Sequence, residues 1–84
     1  MREELEGMKT NHEVFWFKNM WGASVVKDVP EAYGIALYKE GFPYEIAVIN
    51  KRGKVDYTTA ITNDTLKYLT VEQAVATLEA ISEL

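Results

Sequence analysis

Apolar and polar positions alternate through most of the chain and give way to a helical period only at its end. HEVFWFK (12–18) is dense in aromatic and β-branched residues and reads as a strand, followed after a tight turn by a second, ASVV. YGIALYK (33–39) and YEIAVI (44–49) alternate again, and NKRGK closes a hairpin loop in which Gly53 takes the left-handed conformation. That loop sets Ile49 opposite Val55 and Ala47 opposite Tyr57 as one apolar face. Ile46, Val48, Asp56 and Thr58 share the other, half-wet face. ITNDTLKYLT carries turn formers at Asn63-Asp64 and reads as one helical turn through Leu69.

From Val71 the pattern changes. Thr70 and Gln73 form a capping-box signature, and Ala74, Val75, Leu78 and Ile81 fall on one helical face beside a stripe of Glu72, Glu79 and Glu83. The expected fold is α+β: an antiparallel meander of four to five strands with one amphipathic C-terminal helix packed on one face. Residues 1–12 read as a flexible or short helical arm outside a single domain at 13–84.

The stretch FKNMWGASVV (17–26) decides what the sheet presents. If Asn19-Met20 is a two-residue loop, Trp16 pairs with Ala23. Val14, Trp16, Trp21, Ala23 and Val25 then share one face, and Phe15, Phe17, Ser24 and Val26 the other. Both faces are apolar, and one helix covers one face. The second is wet, paired with another copy, or bound to a partner. The pattern leaves open which of the two the helix takes.

Composition narrows the function classes. Eighty-four residues make one small domain, and cysteine is absent, which excludes disulfides and thiolate metal sites. No apolar run is long enough to cross a membrane and no signal peptide is spelled out, so a cytoplasmic location is expected. The net charge is −4, concentrated at the two ends; residues 8–70 hold eight Lys/Arg against seven Asp/Glu. No basic stripe is present, so no nucleic-acid partner is expected. His12 is the only histidine, Ser24 lacks a nucleophile-elbow setting, and the five glycines are scattered. No catalytic set, cofactor site or metal site follows, and the chain is not expected to be an enzyme.

Aromatic residues are the excess: three Phe, two Trp and five Tyr. Phe15, Phe17 and Tyr57 suit a small core. Trp16, Trp21, Tyr33, Tyr38 and Tyr44, with Met20 at the turn, are the candidate partner-binding residues, because polar-tipped aromatics give large contact area at little entropy cost.

The order of the pieces also resembles a group of short proteins encoded by phages and prophages. Their pattern runs FENGYGASVV, then YG, then YE[IL]AV, then YDTPITDD, an aromatic-Leu-Thr and a short acidic helix. The matching pieces here are FKNMWGASVV, Tyr33-Gly34, YEIAVI, DYTTAITNDTLKYLT and the terminal VEQAVATLEAISEL. Met20 stands where the group has Gly, and Thr58, Ala60 and Asn63 replace Asp, Pro and Asp. The resemblance implies an origin and a fold, with no activity attached. It makes a non-enzymatic accessory protein that binds and inhibits or redirects a host protein, such as a defence nuclease, the leading expectation. The alternatives are a nucleotide-signal sponge at a homodimer interface, with Lys18, Asn50, Arg52 and Lys54 as donors, and a structural self-associating module.

Overall fold

Leu5 packs the N-terminal segment into the core of the molecule. In the computed structural model, which describes residues 1–27, 43–61 and 66–84, α1 (Arg2–Glu6) is one short helix. Five residues do not hold a helix alone; Leu5 is fully buried in the core and anchors it. Arg2 bridges Glu6 at 2.6 Å and reaches Glu72 at 3.5 Å, so part of the acidic stripe is met from within the chain. The expectation of an arm outside the fold is thereby corrected. REELE offers one apolar side chain and hence no readable period.

Four strands follow: β1 (His12–Trp16), β2 (Gly22–Lys27), β3 (Tyr44–Ile49) and β4 (Leu66–Leu69). They form one antiparallel sheet in the order β1-β2-β3-β4. Helix α2 (Val71–Ser82) closes the chain. The α+β fold, a meander with a C-terminal helix on one face, is as the pattern predicts. YGIALYK, with Tyr33 and Tyr38, and Asn63-Asp64 lie outside the described residues.

The first hairpin departs from expectation by one residue. Trp16 pairs with Gly22 and Phe15 with Ala23, so the loop holds three residues, Lys18-Asn19-Met20. Phe17 N–H donates to the Trp21 carbonyl at 2.9 Å, and Met20 N–H to the Phe17 carbonyl at 3.0 Å. Met20 takes the left-handed conformation, φ 73°, that ends such a loop. A one-residue slip moves every side chain of a strand to the opposite face. Phe15, Phe17, Trp21, Ala23 and Val25 therefore share the inner face, and His12, Val14 and Trp16 the outer. The two tryptophans are on opposite faces of the sheet.

The second loop is as predicted. Gly53 is left-handed at φ 80°, Asn50 N–H donates to the Lys54 carbonyl at 2.8 Å, and Ile49 bridges Val55. The pairing stops at that bridge, so Ala47 does not face Tyr57. Along β3 it is Tyr44, Ile46 and Val48 that are buried on the inner face, which reverses the expected assignment. LKYL, expected as a helical turn, is β4: Tyr44 pairs with Leu69 and Ile46 with Leu66 across an irregularity where Tyr68 adopts φ 56°. An extra residue on one strand with a left-handed backbone is a bulge, and it breaks the alternation by which a strand is recognised.

Helix α2 begins as its sequence says. Gln73 N–H donates to Thr70 Oγ1 at 3.1 Å, and Gln73 Oε1 accepts from Thr70 N–H at 2.9 Å. Ala74, Leu78 and Ile81 are buried against Ala23, Val25, Ile46 and Val48, with Phe15, Phe17, Trp21, Leu69, Val71 and Val75 packed round them. Each fully buried Leu or Ile contributes roughly 1.5–3 kcal/mol of transfer free energy. The helices thus take the Phe15/Phe17 face, and on the outer face Val14, Trp16 and Val55 are exposed.

Candidate binding face

The strand register lays the outer face out in rows. At the hairpin end, Trp16, Gly22, Ile49 and Val55 stand side by side across the sheet. Val14, Ser24 and Ala47 form the next row, and His12, Val26 and Glu45 the third. Gly22 lets the first row form. A Cβ added there would lie 2.7 Å from Trp16 Cε3 and 2.9 Å from the Phe15 carbonyl oxygen, so the indole rests directly on the glycine backbone. Cross-strand aromatic cover of a glycine fixes the ring without enclosing it. Trp16 remains 55% exposed, Val14 39% and Val55 47%.

Met20 extends this apolar row past the end of the sheet, 62% exposed. With Trp16, Phe17 and Lys51 it lines a groove of about 340 Å³. Because Gly22 pairs with Ile49, both hairpin loops lie at one end of the sheet, and Lys18, Lys51, Arg52 and Lys54 rim it. An apolar centre with charged groups at the margin is the usual layout of a protein interface.

The polar groups of the face are arranged among themselves. His12 Nε2 and Ser24 Oγ are 2.7 Å apart. A nucleophilic pair also needs a group that orients the imidazole and an oxyanion site; among the described residues nothing holds Nδ1. His12, expected in a loose arm, lies instead within β1. Partial burial raises the carboxyl of Glu45 above the usual range, and the nearby Lys67 ammonium opposes that shift. Asp56 is held below its usual value by the Thr58 hydroxyl first, then by the Thr58 N–H at 2.8 Å and the Asn50 amide. Asn50 is committed to its own turn, since Oδ1 accepts from Arg52 N–H at 2.9 Å and Lys54 N–H at 3.2 Å. On the donor side, its Nδ2 reaches Asp56 Oδ2 at 3.4 Å. Among the described residues no three His, Asp or Glu side chains gather as a metal site, and no helix is long and apolar enough to cross a membrane.

Of the residues singled out from sequence, Trp16 and Met20 come together at the groove. Trp21 does not join them: it is half-buried and packs against the core beneath the sheet. Tyr44 is 2% exposed on the inner face, with the Lys27 ammonium 5.8 Å from its ring centre, and is a core residue rather than a contact residue. Its misplacement follows from taking the wrong face of YEIAVI as buried. Tyr33 and Tyr38 lie outside the described residues. Alternation places Val14 on the Trp16 face and the second loop sets Val55 opposite Ile49, but neither valine is among the residues singled out for partner contact, and both stand exposed there. No protein-family model, characterised protein or solved structure matches the chain.

Proposed function

We propose that the protein is a binding module with no reaction of its own, which docks a partner protein on the outer face of its sheet. One observation carries this reading. The inner face is sealed by α1 and α2, while Val14, Trp16, Met20 and Val55 stand exposed together on the other side. A small domain gains nothing in stability from leaving a tryptophan and a methionine in water, and such patches mark interaction sites. The resemblance to phage and prophage proteins makes a bacterial host protein the partner, blocked or redirected by the contact. On that reading the protein acts in the host cytoplasm. The groove beside Lys51 offers a pocket for one apolar anchor with a neighbouring carboxylate. The nucleotide-sponge alternative is weaker, because the Asn50 amide is already directed at the Asp56 carboxylate.

The test is affinity capture from bacterial lysate with wild type and the single variants Trp16→Ala and Met20→Ala. The expected result is a partner retained by wild type and lost from both variants, with circular dichroism and melting temperature nearly unchanged. Capture of the same proteins by all three forms overturns the assignment of the face.

A further inference from the structure

Strand β1 is an edge of the sheet, and its hydrogen-bonding pattern fixes what is left unpaired. Lys27 N–H donates to the Asn11 carbonyl at 2.8 Å and Phe17 N–H to the Trp21 carbonyl at 2.9 Å, so the odd-numbered residues of this strand bond to β2. In an antiparallel ladder the intervening residues point the other way. The N–H and C=O groups of His12, Val14 and Trp16 therefore face outward, and among the described residues β2 is the only strand neighbour of β1. The Thr10 hydroxyl donates to the His12 carbonyl, which retains a second lone pair.

Free edges are normally blunted by lysine, proline, a bulge or an inward-pointing charge. HEVFW contains no lysine or proline and pairs with β2 in unbroken register. Its one carboxylate, Glu13, shares the inner-face alternation with Phe15 but lies at the exposed rim. Among the described residues no second strand covers this edge.

We propose that the occupant is the β1 strand of a second copy of this chain, antiparallel about a two-fold axis at Val14. In that register Val14 faces Val14 of the second copy and His12 faces its Trp16. All the outward N–H and C=O groups of the three residues then find partners at once. A two-fold at Glu13 would set two Glu13 carboxylates opposite each other and Trp16 opposite Thr10, and one at Phe15 would set His12 opposite the loop residue Lys18, so only the axis at Val14 pairs all three outward residues within the strand. The side chains agree with the axis at Val14: Glu13 stands opposite Phe15 rather than a second Glu13, so no like charges meet. Each His12 lies opposite an indole, an aromatic pair across the new strand boundary. The paired edges join two outer faces into one apolar strip through Val14 and Trp16. The inference rests on backbone direction and does not depend on the outer face having any other partner.

Because the chain lacks cysteine, one introduced thiol reports the axis cleanly. Residues facing each other in a hydrogen-bonded antiparallel pair have Cα atoms about 5.5 Å apart, within disulfide reach. Val14→Cys is therefore expected to form a disulfide-linked dimer on mild oxidation. Val55→Cys, similarly exposed but across the sheet from β1, is expected to form no disulfide cross-link under the same treatment. In the wild type, sedimentation should show a dimer growing with concentration, with amide exchange slowing at Val14 and Trp16 but not at Lys51. A wild type that stays monomeric at all concentrations, with Val14→Cys cross-linking no faster than Val55→Cys, overturns the proposal. A dimer whose Val14 and Trp16 amides still exchange freely also overturns it, because the contact then lies elsewhere. Retention of a host protein by a monomer whose Val14 and Trp16 amides become protected on binding assigns the edge to that protein and overturns the second copy as occupant.

Discussion

The Asn19 side-chain amide donates to the carbonyl of Ile81 at 2.8 Å, joining the tip of the first hairpin to the last turn of α2, sixty-two residues away. The same amide reaches the Leu84 carbonyl at 3.3 Å, and its Oδ1 accepts from Trp21 N–H at 3.0 Å. Helix C-termini leave carbonyls without intrahelical partners; here the hairpin loop supplies a donor to them. Asn19→Ala is expected to lower stability by about 1–2 kcal/mol, the range for a half-buried hydrogen bond with partners left behind. Asn19→Asp should be at least as damaging, since a carboxylate meets carbonyl oxygens at the negative end of the helix. Urea denaturation of the two variants checks this; midpoints equal to wild type for both reject the link.

Opposite placement of the tryptophans predicts opposite behaviour on truncation. Trp21→Ala removes an indole packed against the core and should lower stability by about 2–4 kcal/mol. Trp16→Ala removes a ring that covers one glycine and should lower it by about 1 kcal/mol or less. Fluorescence provides an independent reading. Trp16→Phe leaves Trp21 as sole emitter, with a bluer maximum and weaker acrylamide quenching than Trp21→Phe. If the two spectra coincide, the register of the first hairpin is wrong.

This hairpin also shows where the sequence stops being legible. The capping box at Thr70 and Gln73 and the glycine at Gly53 are local signals, and the helix and the second loop stand where they place them. The first loop carries no glycine, so a methionine in the left-handed region looks like any other turn residue. The difference between a two-residue and a three-residue loop then exchanges the whole buried face. β4 was hidden for a related reason, since the bulge at Tyr68 erases its alternation. Leu5 could not be read at all, because its burial depends on α2, which lies at the other end of the chain. The aromatic excess pointed to the hairpin on which Trp16 and Met20 stand exposed. Which aromatics faced outward was a question of register.

Met20 joins backbone strain to the proposed interface. Its φ of 73° is disfavoured for any residue with a Cβ, by roughly 1 kcal/mol, whereas glycine adopts it freely. Met20→Gly is expected to raise stability by up to about 1 kcal/mol, offset in part by the greater freedom of glycine in the unfolded chain. Met20→Ile, β-branched, should destabilise by a similar amount or more. The glycine variant should also bind the captured partner more weakly, because the groove loses a wall. Stability and binding thus move in opposite directions, and a glycine variant less stable than wild type contradicts the loop geometry.

Gly22 is required by close approach rather than by its backbone angles. Alanine there would press on the Trp16 ring and on the Phe15 carbonyl oxygen, and the backbone atom cannot move aside cheaply. Gly22→Ala is expected to cost about 1–3 kcal/mol, as for overpacking elsewhere. Replacing Trp16 relieves the contact with the ring alone. The double variant Gly22→Ala/Trp16→Ala should therefore recover only part of the loss, and full additivity would show that ring and glycine do not touch.

Two carboxylates predict opposite pH responses. Asp56 is depressed in the folded state, chiefly by the Thr58 hydroxyl, so its contribution to stability is present above the unfolded value, about 3.9, and is lost as pH falls through the lower folded value. Asp56→Asn should be less stable than wild type near neutrality, and the gap should close in acid. Glu45 is raised, chiefly by burial, so the folded state holds its proton more tightly than the unfolded chain. Stability then declines as pH rises from the unfolded value, about 4.3, through the higher folded one, and it stays reduced above that. Glu45→Gln should be more stable than wild type at neutral pH, with the advantage vanishing below the unfolded value. Urea midpoints measured from neutral to acid pH test both signs together. The same direction of change in both variants at neutral pH would refute the placement of Glu45 as a desolvated group on the outer face.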